Sequence, residues 1–168
     1  MLASFPFFFF CQALGALIGV VMAVWGELAY VRAMRDGRLD HAERAHLAAI
    51  AHGLRFGMLL LLLASVGLVV ASYGSGLVVE PAMTASYWTL VSLAVLVIAV
   101  TWALSRKLIS FAFGSALVFS GWWFLLFITF GLFPPMSFGS AAAAFVVSTA
   151  VFYGILRFLR FLSVPKVL

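Results

Sequence analysis

The chain has 168 residues, of which 66% are hydrophobic and only 9% are charged, and its mean hydropathy is +1.23. Because soluble domains are roughly half apolar and a quarter charged, this excess predicts a membrane protein whose surface faces lipid. The net charge of +5 does not indicate a nucleic-acid partner, since the basic residues cluster at the ends of apolar runs. Cys11 is the single cysteine, which excludes an internal disulfide and a cysteine-built metal site.

Five apolar runs are long enough to cross a bilayer, which needs about 20 mostly apolar residues. The first has no Lys or Arg ahead of it, so it is predicted to be a retained span and not a cleaved signal peptide. We expect an all-α bundle of five transmembrane helices that forms one domain over residues 1–168. The predicted spans are 5–31, 54–73, 86–105, 108–132 and 138–160.

A polar segment, RAMRDGRLDHAERAH, follows the first span. From about residue 40 through 73 the sequence has no helix breaker except two glycines, so one continuous helix is predicted there. Its first part, about 40–53, is expected to be a cytoplasmic extension of the second span.

All ten basic residues fall on one side of this five-span arrangement, and the second and fourth loops hold none. Cytoplasmic loops carry an excess of Lys and Arg. The N-terminus is therefore predicted to lie outside and the C-terminus in the cytoplasm, with the chain in a bacterial inner membrane. The ten residues are Arg32, Arg35, Arg38, Arg44, Arg55, Arg106, Lys107, Arg157, Arg160 and Lys166.

Small residues recur four apart on three of the predicted spans, a spacing that lets membrane helices approach closely. Two of these spans carry GxxxG pairs, and the fourth span has a small face. The predicted helix-packing residues are Gly15, Gly19, Ala23, Gly53, Gly57, Ala112, Ala116 and Ser120.

Glu27 is the next position on the small-residue stripe of the first span, so its carboxylate is predicted to face the bundle and not the lipid. The second span begins near Arg55, and an antiparallel neighbour would bring the two charges together. We predict a Glu27–Arg55 ion pair, with His52 as the second candidate partner. Two alternatives are a Glu27 side chain that extends to water, which would have no functional meaning, and a buried, protonated Glu27 that handles protons.

The sequence gives little support for cofactor binding or for catalysis. The three histidines, His41, His46 and His52, all lie in the predicted cytoplasmic segment, and their spacings do not align neighbours on one helical face. The sequence contains no nucleophile–base–acid set, no phosphate-binding loop and no dinucleotide-binding glycine motif. We therefore expect no haem, no metal, no other cofactor and no catalysis.

The run GALIGVVMAVWGELAYVRAMRDGRLDHAE, followed by a leucine-rich second span, resembles a family of small bacterial polytopic inner-membrane proteins with no assigned function. In that family a glycine-rich first helix carries an acidic residue and leads into a Lys/Arg-Asp-Gly turn and an acidic cap. Glu27, Arg35, Asp36, Gly37 and Glu43 match this pattern, and SALVFSGWWFLLFITFG resembles a late span of the same proteins. The resemblance implies a membrane topology and draws attention to Glu27, but it implies no activity.

These observations predict a non-catalytic accessory, assembly or structural component of a membrane complex. Its partners would be the lipid bilayer and either other membrane subunits or further copies of itself. The alternative is a small transporter or channel in which Glu27 handles protons or ions. A third reading, a cofactor-binding electron-transfer subunit, is disfavoured by the histidine positions.

Overall fold

The computed structural model describes the backbone of residues 4–36, 41–75 and 84–163, and the side chains within 5–32, 45–74 and 84–162. Each of its five helices contains a stretch long and apolar enough to cross a membrane. The prediction of an all-helical chain with five such helices is confirmed. The helices are α1 (Ser4–Asp36), α2 (His41–Ser75), α3 (Ala85–Ser105), α4 (Phe111–Thr129) and α5 (Phe138–Ser163).

Consecutive helices run antiparallel, so the bundle alternates in direction along the chain. In the α1–α2 hairpin, Gln12 near one end bonds to Ser65, and Gly26 near the other end lies beside Ile50. In the most apolar 18-residue stretch of α4, 56% of the residues are buried in the bundle, whereas in that of α5 only 17% are. Helix α4 is therefore the centre of the bundle, in contact with α1, α3 and α5, and α5 lies at its edge.

Tight left-handed turns end α3 and α4. Lys107 and Gly131 have positive φ angles of 58° and 64°. In each turn the next residue's N–H reaches the carbonyl five residues back, from Leu108 to Ala103 and from Leu132 to Phe127, each at 2.9 Å. This pattern satisfies carbonyls that the helix end leaves unpaired. Because the residues just before and just after α4 belong to these turns, α4 is shorter at both ends than the predicted span 108–132.

One end of the bundle, which we call the charged end, is where α1, α3 and α5 finish and where α2 and α4 begin. Every Lys and Arg whose side chain the structure describes lies toward this end: Arg32, Arg55, Arg106, Lys107, Arg157 and Arg160. The other four basic side chains lie outside the described ones. The side chains of Asp36 and Glu43, and the whole of Gly37, also lie outside the described part; these residues carry part of the family resemblance.

Two glycines bring the backbones of α1 and α2 together. A Cβ on Gly15 would lie 2.7 Å from the Leu61 nitrogen and 2.8 Å from the Gly57 oxygen. A Cβ on Gly57 would lie 2.9 Å from the Gly15 oxygen. These are backbone atoms that cannot swing aside, so only glycine fits this α1–α2 seam. Gly53 continues the seam against the side chain of Met22.

Gly19 receives a side chain from the central helix. A Cβ on Gly19 would overlap the six-membered ring of Trp122, which is 1% exposed and among the largest fully buried side chains. The small face of α4 packs in the same core, since Ala116 and Ser120 are fully buried, whereas Ala112 is only half-buried. Ala23 is buried on α1. The predicted small positions thus serve two interfaces, α1 with α2 and α1 with α4.

Candidate functional site

An ion pair joins the first and last helices at the charged end. The Nη2 of Arg160 on α5 donates a hydrogen bond of 2.6 Å to Oε2 of Glu27 on α1. Both side chains are largely buried, with 16% of Arg160 and 12% of Glu27 exposed. It is the one salt bridge among the described side chains.

Helix α4 supplies a third member. The same Nη2 of Arg160 donates to Oγ of Ser115 at 2.7 Å, and that hydroxyl is within 3.3 Å of the Ala112 carbonyl of its own helix. Two aromatic rings, 4.2 Å apart, also contact the guanidinium. Its carbon lies 5.0 Å from the ring centre of Tyr30 and 5.4 Å from that of Phe111, within the range of cation–π attraction. We call Glu27, Arg160, Ser115, Tyr30 and Phe111 the clasp.

Helix directions explain how these residues meet. Glu27 and Tyr30 are almost one turn apart on the same face of α1, near its C-terminal end. Ser115 and Phe111 occupy the first turns of α4, which begins at the same end of the bundle. Arg160 lies in the last turn of α5, where a cation also interacts favourably with the helix dipole.

Both charges of the clasp lie against groups that stabilise them. The carboxylate has a cationic partner, and the cation has a hydroxyl and two rings around it. Removing one member of a buried pair strands the other charge, which costs about 3–5 kcal/mol, whereas the net gain of the pair itself is small. Arg160 Nε is buried without a partner among the described residues, so this cation is not fully satisfied.

The predicted Glu27–Arg55 pair is not the one that forms. Gly26, next to Glu27, lies beside Ile50, so Arg55 is five residues further along α2. At a rise of 1.5 Å per residue this separates the two levels by about 8 Å. The side chain of Arg55 is exposed and lines a groove between α2 and α3. His52 is not the partner either, since its Nδ1 lies 2.7 Å from the Ala48 carbonyl of its own helix.

Of the other histidines, His46 accepts a hydrogen bond from the indole nitrogen of Trp25, and both side chains are exposed. The side chain of His41 lies outside the described ones. No group of three His, Cys, Asp or Glu side chains within the described ranges is arranged to hold a metal ion.

The hydroxyls within the spans bond mainly to their own helices. Ser65, Thr101, Ser120 and Thr129 each donate to the carbonyl four residues earlier, at 2.7–2.8 Å. Gln12 adds one bond between helices, donating to Ser65 at 2.9 Å. Among the described side chains, no hydrogen bond links these groups to the clasp.

Arg160, Ser115, Tyr30 and Phe111 were not singled out in the sequence. The available signal is that Arg160 falls within the predicted span 138–160, as does Arg157, so the last span holds two cations inside an apolar run. No local pattern in the sequence pairs Arg160 with Glu27.

No family model, curated protein or solved structure matches this chain. The resemblance to small bacterial inner-membrane proteins therefore stays a prediction.

Proposed function

We propose that this chain is a multi-pass protein of a bacterial inner membrane, with its N-terminus outside and its charged end in the cytoplasm. In this proposal it acts without catalysis, as an accessory, assembly or structural component of a membrane complex. Glu27 serves as part of a structural clasp that fixes α1, α4 and α5 to one another.

The observation that carries the proposal is the bonding of Arg160 to Glu27 and Ser115 at once. A proton-handling carboxylate needs access to donors and acceptors along a path, and transport relays use several ionisable groups across the membrane. Glu27 instead meets a guanidinium that keeps its charge at any working pH. The wide apolar outer surface of α5, including Val147, Val151 and Phe158, is suited to contact with lipid or a neighbouring helix.

Purification in mild detergent separates this proposal from the transporter alternative. The tagged wild-type chain is expected to retain other membrane proteins in a stable larger complex, identified by mass spectrometry. It is also expected to conduct no protons when reconstituted alone in vesicles. A homo-oligomer whose proton flux disappears in Glu27→Gln, while the variant keeps its thermal stability, would contradict the proposal and support transport.

Cysteine labelling tests the orientation. In a Cys11→Ser background, Ser137→Cys is expected to react with a membrane-impermeant thiol reagent added to intact cells, and Lys107→Cys only after the cells are opened. Both positions are exposed turns at opposite ends of the bundle. The reverse labelling pattern would invert the proposed topology.

A further inference from the structure

Helices α2 and α3 scarcely touch, although both belong to the same bundle. Between them lies a groove of about 290 Å³. Its lining is mostly apolar, with two hydroxyls and one cation among the side chains. The residues that matter here are Leu54, Arg55 and Met58 of α2, Val97 and Trp102 of α3, and Trp122 of α4.

Arg55 is an unpaired cation set well inside the charged end. Among the described side chains none forms an ion pair with it. Gly57 lies beside Gly19, Gly19 beside Trp122, and Gly121 beside Val97, so these residues share a level in the bundle. Toward the charged end, Arg55 is two residues from that level and Arg106 is nine. At a rise of 1.5 Å per residue, the backbone of Arg55 therefore lies about 10 Å further from the charged end than that of Arg106. A cation at such a depth is costly in a bilayer unless an anion accompanies it.

Trp122 also lines the groove, but its N–H is enclosed by the protein and is not offered to a ligand. The Nε1 of Trp122 is buried and has no hydrogen-bond partner within the described part of the chain. The six-membered ring of Trp122 faces Gly19, so the N–H edge points away from α1. The hydroxyls of Thr101 and Ser105 on the α3 wall already donate to carbonyls of their own helix. Arg55 is thus the cation on the groove lining that is left for a ligand.

We propose that this groove binds one anionic phospholipid of the bilayer. The phosphate pairs with Arg55, and an acyl chain lies along Met58 and Val97. Arg106, held 5.7 Å from the ring centre of Trp102, adds positive charge where the groove opens toward the charged end. The volume is at the lower end for small-molecule sites, which suits one chain and not a helix about 10 Å across. The inference rests on the proposed insertion into a bilayer.

Native mass spectrometry tests the site, using detergent-purified protein offered phosphatidylglycerol or phosphatidylethanolamine with identical acyl chains. The wild-type chain is expected to retain phosphatidylglycerol preferentially, and Arg55→Gln to bind it about fivefold more weakly. Arg157→Gln is the matched control, because Arg157 is an exposed arginine near the same end that does not line the groove.

Several results would overturn the lipid site. These are equal retention of the two lipids, equal loss in Arg55→Gln and Arg157→Gln, or displacement of phosphatidylglycerol by inorganic phosphate. So would a protein that co-purifies with the wild type and is lost from Arg55→Gln, without any lipid preference. Failure of membrane insertion would appear separately, as release of the protein from membranes by alkaline carbonate.

Discussion

Helix α2 has two neighbours and meets them in opposite ways. Toward α1 it presents Gly53 and Gly57, and the two backbones come into direct contact. Toward α3 it presents Leu54, Arg55 and Met58, and a groove remains. Nearly all these side chains are apolar or small, so hydrophobicity does not distinguish the two faces. In a membrane the size of the side chain decides which helices close together, because lipid is as apolar as leucine.

Substitutions in the clasp, which joins α1 to α4 and α5, should have the largest effects on the free energy of unfolding. We expect Glu27→Gln and Arg160→Met each to lower the free energy of unfolding in detergent by about 3 kcal/mol, because each strands a buried partner. The double variant should lose less than the sum, and this non-additivity is measured by a double-mutant cycle.

Arg157→Met is the control for the clasp, since Arg157 is exposed and should change stability by no more than about 0.5 kcal/mol. Strictly additive losses for Glu27 and Arg160 would show that the pair contributes nothing. A second double-mutant cycle that showed coupling of Glu27 to Arg55 would instead support the pair that the sequence predicts.

The seam between α1 and α2 should tolerate no added methyl group. Gly15→Ala places a Cβ against backbone atoms of Gly57 and Leu61, and we expect it to cost about 1–3 kcal/mol. Gly154→Ala in α5 is the matched control, because nothing lies within 4 Å of its Cβ position. There, better helix propensity should raise stability by about 0.5–1 kcal/mol. Equal effects of the two changes would refute close contact at the seam.

The groove should accept added volume at little cost. Ala51 lines the space between α2 and α3, so Ala51→Leu should change the free energy of unfolding by no more than about 0.5 kcal/mol. The same substitution at Ala16, which is 0% exposed in the core beside α2, should cost about 1–3 kcal/mol. Thermal unfolding of both variants in one detergent makes the comparison, and a destabilised Ala51→Leu would mean that the groove closes.

The sequence was sufficient for the number of helices and not for their neighbours. Length and hydropathy define each span independently, so the five helices could be predicted without knowing how they pack. The partner of Glu27 depends on the register of α1 against α2 and on which helix covers the far side of α1. Gly26 beside Ile50 sets that register, and no local pattern around Glu27 or Arg55 encodes it.

Trp122 illustrates the same limit on prediction. A tryptophan in the middle of an apolar span has no evident role from sequence, because its position lies away from the ends where aromatic residues usually gather. The role of Trp122 depends on Gly19, which lies on another helix and provides the space for the ring. GxxxG spacing on α1 predicts a close approach, but not which of two neighbouring helices makes it.

The separation of Glu27 and Arg160 along the chain, 133 residues, has a consequence for biosynthesis. At about 5–20 residues per second, Glu27 leaves the ribosome on the order of 10 s before Arg160 exists. During that interval the nascent first hairpin carries a carboxylate without its permanent partner. Arrival of the last helix supplies Arg160, so a chain interrupted before that residue keeps Glu27 without the cation that it binds in the complete bundle.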